Sequence, residues 1–308
     1  MIRTLMRILL IIIAVLMILL GSNSAVSAFI AIRNIDKVPD EGDHYTVNNT
    51  RIFVRNFGSG DPMLIIHGLS SSGLTFIEIA ELLSAERKVY LLDLPGLGLS
   101  GISVNCDYSI VSLARTISEL IVLLGVSSID LMGHGFGGEI ALTIAREYPQ
   151  SVRSVIVVNP SIPASNPPLP EWLLSKKRLS KMLLKHVFGT YPFERSVAEQ
   201  KYHNTDSFDT ERFLLEFSLS YWTSSDTIID YYHSNKDYAP EEQNTIRRPV
   251  LIIQGAEDTL SPTDRSQELN TILRNSMLVV MDNCAHFPMY ENQSAFLNHV
   301  KSFLRSVR

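Results

Sequence analysis

Cysteine is scarce in this chain: its 308 residues hold two, Cys106 and Cys284, and only two tryptophans. Two thiols cannot build the dense disulfide framework of small secreted domains, so the fold must rest on a hydrophobic core. Charged residues are also few, at 19%, and the net charge is −5. No run of like charges forms, so no nucleic-acid partner is expected. The eight histidines show no His-x-x-x-His spacing and there is no Cys-x-x-Cys, so neither a metal nor another cofactor is expected. No internal repeat or low-complexity tract is visible. What is present is 45% hydrophobic residues, ample for one large α/β domain carrying a smaller insertion.

The one long apolar run is N-terminal. Arg3 and Arg7 precede thirteen uninterrupted apolar residues, Ile8 to Leu20, followed by small residues up to Ala28. This pattern reads as a signal peptide over residues 1–28, cut after Ala28. The run is shorter than the roughly 20 residues that span a bilayer, although Phe29 to Ile32 is apolar again and leaves an uncleaved anchor as the alternative. Cleavage removes two arginines and no acids, taking the charge from −5 to −7. The body is thus expected to be exported, secreted or periplasmic, or membrane-anchored through residues 8–20. Export would permit a Cys106–Cys284 bridge; two free thiols is the plainer expectation.

Beyond Ala28, His44 to Val47 and Arg51 to Phe57 alternate like a hairpin turning at Asn48-Asn49. Short runs apolar on both faces follow: Met63 to Ile66, Val89 to Leu92, Ile129 to Met132, Val155 to Val158, Leu251 to Ile253 and Leu278 to Met281. Such runs suit a buried parallel sheet. Helical patterns separate them at Thr75 to Ala85, Ile110 to Leu124, Gly138 to Tyr148, Asp264 to Leu273 and Ser294 to Leu304. The alternation predicts a doubly wound, mostly parallel α/β sheet whose ligands sit beyond the carboxyl ends of the strands. Residues 161–248 break the rhythm. A proline-rich approach (Pro163, Pro167, Pro168, Pro170) leads into a helical, aromatic stretch, predicted to be a cap inserted into a core of residues 29–160 and 249–308.

Chemistry concentrates at strand ends. Gly133-His134-Gly135-Phe136-Gly137 follows the Ile129 strand and precedes a helix. That is the setting of the Gly-x-Ser-x-Gly nucleophile elbow, with glycine at the serine position. Glycine has no atom to attack a carbonyl, so acyl-enzyme chemistry at residue 135 is closed. Glycine also visits positive φ freely, so the turn should be relaxed rather than damaged.

With Leu64-Ile65-Ile66-His67-Gly68-Leu69 and the loop Asp93-Leu94-Pro95-Gly96-Leu97-Gly98-Leu99-Ser100, the chain resembles the cap-bearing α/β-hydrolase superfamily over about residues 44–160 and 249–305. The resemblance implies an oxyanion hole from the N–H groups of Leu69 and Phe136. It implies a triad carboxylate at Asp258, in Gly255-Ala256-Glu257-Asp258, and a histidine at His286, in Asn283-Cys284-Ala285-His286-Phe287-Pro288. Asn159, at the family's other acid position, cannot ionise. A nucleophilic Asp, as in the family's epoxide hydrolases and dehalogenases, is excluded at residue 135.

Each residue also has a plainer reading. Asp258 could cap the helix after Pro262, His286 could be a hydrogen-bonded core histidine, and Ser70, Ser71 and Ser72 form a polar turn. His134 reads as a packed elbow residue. Two functions follow from the missing hydroxyl. In one, His286 deprotonates a water and an ester or carbon–carbon bond is hydrolysed in one step. In the other, a pseudo-hydrolase only binds a small apolar ligand or a protein partner. The substrate is expected to be small and mainly apolar. Glu171 to Phe188 is expected to form one amphipathic helix with Trp172, Leu179, Leu183 and Val187 inward. It would serve as a lid or, alternatively, contact a membrane surface. Tyr221, Trp222, Tyr231 and Tyr232 are expected to pack the cap.

Overall fold

Eight strands line up as β1-β2-β4-β3-β5-β6-β7-β8 in the computed structural model, which describes residues 2–102, 106–162, 167–239, 243–261 and 263–307. Two residues named above, Pro163 and Pro262, lie outside the described ones. Helix α1 (Ile2–Ile35) precedes β1 (Asp43–Val47) and β2 (Thr50–Phe57). The hairpin between those strands turns on Asn48 and Asn49, at φ 49° and 62°. Asparagine tolerates this left-handed region better than most residues. Then come β3 (Asp61–Ile66), α2 (Ile77–Ser84), β4 (Arg87–Leu92), α3 (Ile110–Leu123), β5 (Ile129–His134), α4 (Phe136–Glu147) and β6 (Val152–Val158). Among the described residues of the insertion are four α-helices: α5 (Glu171–Leu174), α6 (Lys177–Leu183), α7 (Tyr191–Glu199) and α8 (Thr210–Asn235). The core resumes with β7 (Val250–Gly255), α9 (Thr263–Ile272), β8 (Ser276–Met281), α10 (Pro288–Glu291) and α11 (Gln293–Ser306).

β2 pairs antiparallel with β1 and β4, and β3 to β8 run parallel. The doubly wound, mostly parallel sheet expected from the apolar runs is therefore the one the chain forms. Because β3, β5, β6 and β7 are covered on both faces, they carry no polar–apolar alternation. Their side chains divide between two cores. Leu64, Leu131, Val157 and Ile252 pack against α3 and α4 on one face. Ile65, Met132, Ile156 and Ile253 pack against α2 and α11 on the other. All parallel strands point their carboxyl ends toward the insertion, so the loops after β3, β5, β7 and β8 meet there.

Two expectations for the insertion need correcting. Glu171 to Phe188 is not one helix. It breaks at Lys176 (φ −102°, ψ 66°) and resumes as α6, and Leu184–Phe188 coil more loosely as a π-helical turn. The break re-aims the chain, so Leu173 and Leu174 are buried while Trp172 stands 67% exposed. Lys177 and Lys181 turn to Asp230 on α8, at 2.5 and 3.2 Å. Nor does Trp222 pack inside, being 50% exposed, whereas Tyr231 is buried and donates its hydroxyl to the Pro95 carbonyl at 2.9 Å. Cys106 and Cys284 are free thiols.

α1 runs unbroken through the expected cut after Ala28. Its final turns lie on α7 and α8, with Ala31 buried against Phe213 and Phe217. The Ser27 hydroxyl accepts the Tyr191 N–H at 2.9 Å, and the Tyr221 hydroxyl donates to the Ser24 carbonyl at 3.1 Å.

Candidate active site

At the tip of β5 the chain must reverse into α4 within one residue. Gly135 makes that turn at φ 53°, ψ −120°, a region that side chains disfavour. The close packing of strand and helix is possible because Gly133 lacks a Cβ, which would collide with the Gly137 carbonyl. The turn is pinned on both sides. Gly135 N–H donates to the Val158 carbonyl at 2.9 Å, and its own carbonyl accepts from Gly138 and Ser161 at 3.0 and 3.2 Å. Phe136 is the first residue of α4, so its N–H has no partner within the helix.

Asp258 and His286 come from the loops after β7 and β8. His286 Nδ1–H donates to Asp258 Oδ2 at 2.8 Å, the tautomer following from a carboxylate that can only accept. Asp258 Oδ1 accepts the N–H groups of Leu260 and Ser261 at 2.8 and 3.1 Å. Burial alone would raise this carboxyl, but the imidazole and the two backbone donors outweigh it and hold Asp258 below its ordinary range. Asp258 thus closes a local turn and orients the ring; its backbone partners are Leu260 and Ser261, which precede the helix that the capping reading had in view.

The histidine loop is clasped from several directions. Glu257 accepts the N–H groups of Asn283 and Cys284 at 3.2 and 2.9 Å. Glu291 accepts that of Ala285 at 2.6 Å and, from the insertion, those of His203 and Asn204 at 2.5 and 3.1 Å. His286 N–H donates to the Lys201 carbonyl at 3.0 Å. His134 Nε2–H donates to the His286 carbonyl at 2.9 Å. Burial, then the neighbouring His286, drive the His134 pKa down to about 3, so it is a neutral packing residue. Asn159 (φ 44°) joins the two loops: its amide donates to the Ala285 carbonyl and its oxygen accepts the Gly255 N–H, both at 2.9 Å.

The loop after β3 is fixed by His67, whose Nδ1–H donates to the Gly68 carbonyl at 2.7 Å and whose Nε2 accepts the Leu94 N–H at 2.8 Å. Asp93 adds bonds from Gly73 and Leu99 N–H at 2.5 and 2.7 Å. Ser72 caps the short turn that follows, and the Ser71 hydroxyl is bonded to Thr75.

Leu69, Gly135, Phe136 and His286 all border one cavity of about 380 Å³ beneath the insertion. Its far wall is apolar: Leu184, Phe188, Phe193, Val197, Ile228 and Tyr232. A narrower side cavity of about 70 Å³ runs from His286 past Ser71, Thr75, Arg212 and Glu216. Glu194 and Lys201 border both. Burial raises the carboxyls of Glu194 and Glu216, against the lowering effect of Lys201 and Arg212 respectively. Among the described residues no group of three or more His, Cys, Asp or Glu could hold a metal.

Residues 61–293 fit the family described as alpha/beta hydrolase fold. The chain belongs to that family. Among its relatives, the uncharacterized hydrolase YugF of Bacillus subtilis is 23% identical, across 85% of this chain and 97% of its own. The 2-hydroxy-6-oxo-2,4-heptadienoate hydrolase of Pseudomonas putida is 24% identical, across 82% and 91%. A bacterial membrane phospholipase A superposes with a TM-score of 0.71 at 22% identity, covering 100% of this chain and 99% of that one. These likenesses establish hydrolase lineage and the hydrolase fold.

The sequence reading gave no part to Glu291, Lys201 or Ser161, and it weighed Asn159 only as a residue that cannot ionise. None carries a local signal: each matters because of a loop far away in the chain.

Proposed function

We propose that the protein is a hydrolase whose usual serine is replaced by Gly135 and which works through water. His286, oriented by Asp258, removes a proton from a water molecule that attacks an ester or carbon–carbon bond of a small substrate. The N–H groups of Leu69 and Phe136 stabilise the developing oxyanion. The observation that carries this reading is that His286, bonded to Asp258 at 2.8 Å, borders the same cavity as a glycine at the elbow. The apolar wall suits a mainly apolar substrate, with the helices of residues 161–248 as the cap over it. The test is turnover of p-nitrophenyl butyrate. A low but measurable rate is expected, and His286→Ala should lower it by about 10²-fold. An unchanged rate would defeat the reading. Complete inactivity, with ligand-induced stabilisation surviving in the variant, would favour a binding protein instead.

We further propose that α1 is retained as an anchor. It is long and apolar enough to cross a membrane, with a mean hydropathy of 2.7 in an 18-residue window within residues 5–35. Removal at Ala28 would strip Ser24 and Ser27 from Tyr221 and Tyr191. The export signal and the anchor would then be one helix, with the body held outside the cytoplasm. The full chain is expected in the membrane fraction with its N-terminus intact. A soluble protein beginning at residue 29 would overturn this.

A further inference from the structure

If residue 135 cannot supply a hydroxyl, something must hold the attacking water in line with the imidazole, because a mobile water gives up most of the advantage of proximity. Ser161, three residues past the end of β6, stands where that is possible. A Cβ built on Gly135 would lie 3.4 Å from Ser161 Oγ, its nearest neighbour. A hydroxyl one bond beyond that Cβ is the reacting position in a serine hydrolase, and a rotamer turned toward Ser161 brings it within hydrogen-bond reach of Ser161 Oγ.

The placement of Ser161 is specific. Its N–H is bonded to the Gly135 carbonyl at 3.2 Å. The chain reaches it through Asn159, which is locked between the acid and histidine loops. Among the described residues its hydroxyl makes no hydrogen bond, and it is half-buried in the cavity shared with His286, Leu69 and Phe136. A half-buried hydroxyl with no protein partner is free to bind water.

We infer that Ser161 is a positioning residue that holds the hydrolytic water for His286. This rests on the water-mediated reading. One water hydrogen points to His286 Nε2 and the other to Ser161 Oγ, leaving a lone pair for the substrate carbonyl. Attack forms the new carbon–oxygen bond as the first hydrogen passes to Nε2 as a proton. Collapse of the tetrahedral intermediate breaks the ester bond, and the imidazolium returns its proton to the departing alkoxide. The products are acid and alcohol, with no covalent enzyme intermediate.

The experiment compares intact wild type, Ser161→Ala, Ser161→Thr and His286→Ala on p-nitrophenyl butyrate, with a fluorophosphonate followed by peptide mass. Ser161→Ala should lower kcat by about tenfold or more and leave KM within about twofold. Ser161→Thr, which keeps the hydroxyl, should recover most of the rate. In the Ser161→Ala background, Gly135→Ser should bypass the defect. An unchanged kcat in Ser161→Ala, beside a His286→Ala variant that is inactive, would overturn this inference alone. Fluorophosphonate on Ser161 would also overturn it, showing a nucleophile rather than a positioning group. An unaffected His286→Ala would remove the water-mediated reading itself.

Discussion

Gly135→Ser is expected to raise turnover of a short ester by about 10²–10⁴-fold and to create fluorophosphonate labelling at residue 135. The expectation rests on space and on strain. The added Cβ would sit 3.4 Å from Ser161 Oγ, 3.9 Å from Gly68 Cα and 4.0 Å from the Asn159 carbonyl, all ordinary contacts. At φ 53° a serine costs about 1–3 kcal/mol of backbone strain. Thermal unfolding should therefore shift down by several degrees, roughly 2–4 °C per kcal/mol for a chain of this size. A rate gain of that order is worth about 3–5 kcal/mol of barrier. The variant should thus be less stable and far more active. A folded variant with neither labelling nor added turnover would mean that His286 does not address residue 135.

That contrast follows from what a glycine does at an elbow. In a serine hydrolase the turn stores strain to present its nucleophile. Here the turn has the same sign of φ without the strain, and its supports are intact: Gly133 still lets α4 approach β5, and Asn159 still joins the loops after β7 and β8.

The sheet was legible in the sequence because its central strands are buried on both faces. Met63 to Ile66 and Val155 to Val158 are unbroken apolar runs, a signal that depends on the strand alone. The insertion was less legible. Over Glu171 to Phe188 the helical period is real, but nothing local announces that Lys176 leaves the helix so that Lys177 and Lys181 can reach Asp230. Likewise α1 is obvious as an apolar run, whereas its docking depends on Phe213 and Phe217, nearly two hundred residues on. In the site, motif order pointed to Gly135, Asp258 and His286. Glu291 was invisible because its three N–H partners come from two segments that meet only in the folded chain.

Asp130→Ala is expected to cost about 3–5 kcal/mol of folding free energy, a third or more of the roughly 5–15 kcal/mol that holds a typical domain. Asp130 sits at the foot of β5, the strand whose tip carries Gly135, and its carboxylate is fully buried. It is bonded to Arg87 on β4, to Arg153 Nε and Nη2 at 2.9 and 2.6 Å, and to the Ser154 hydroxyl at 2.6 Å on β6. The β5–β6 register shifts at Ile129/Asp130, so this cluster fixes three strands where the ladder alone does not. Removing the carboxylate leaves the buried Arg87 guanidinium without its counter-charge; Arg153 can still turn to water. The loss should therefore be much smaller when Arg87 is replaced as well, so that Arg87→Met/Asp130→Leu recovers a good part of it, because two apolar groups carry no stranded charge. Urea unfolding of wild type, Arg87→Met, Asp130→Leu and the double variant completes the double-mutant cycle. Additive losses would show that the two residues do not act as a pair, and that β5 is aligned by its ladder and core alone.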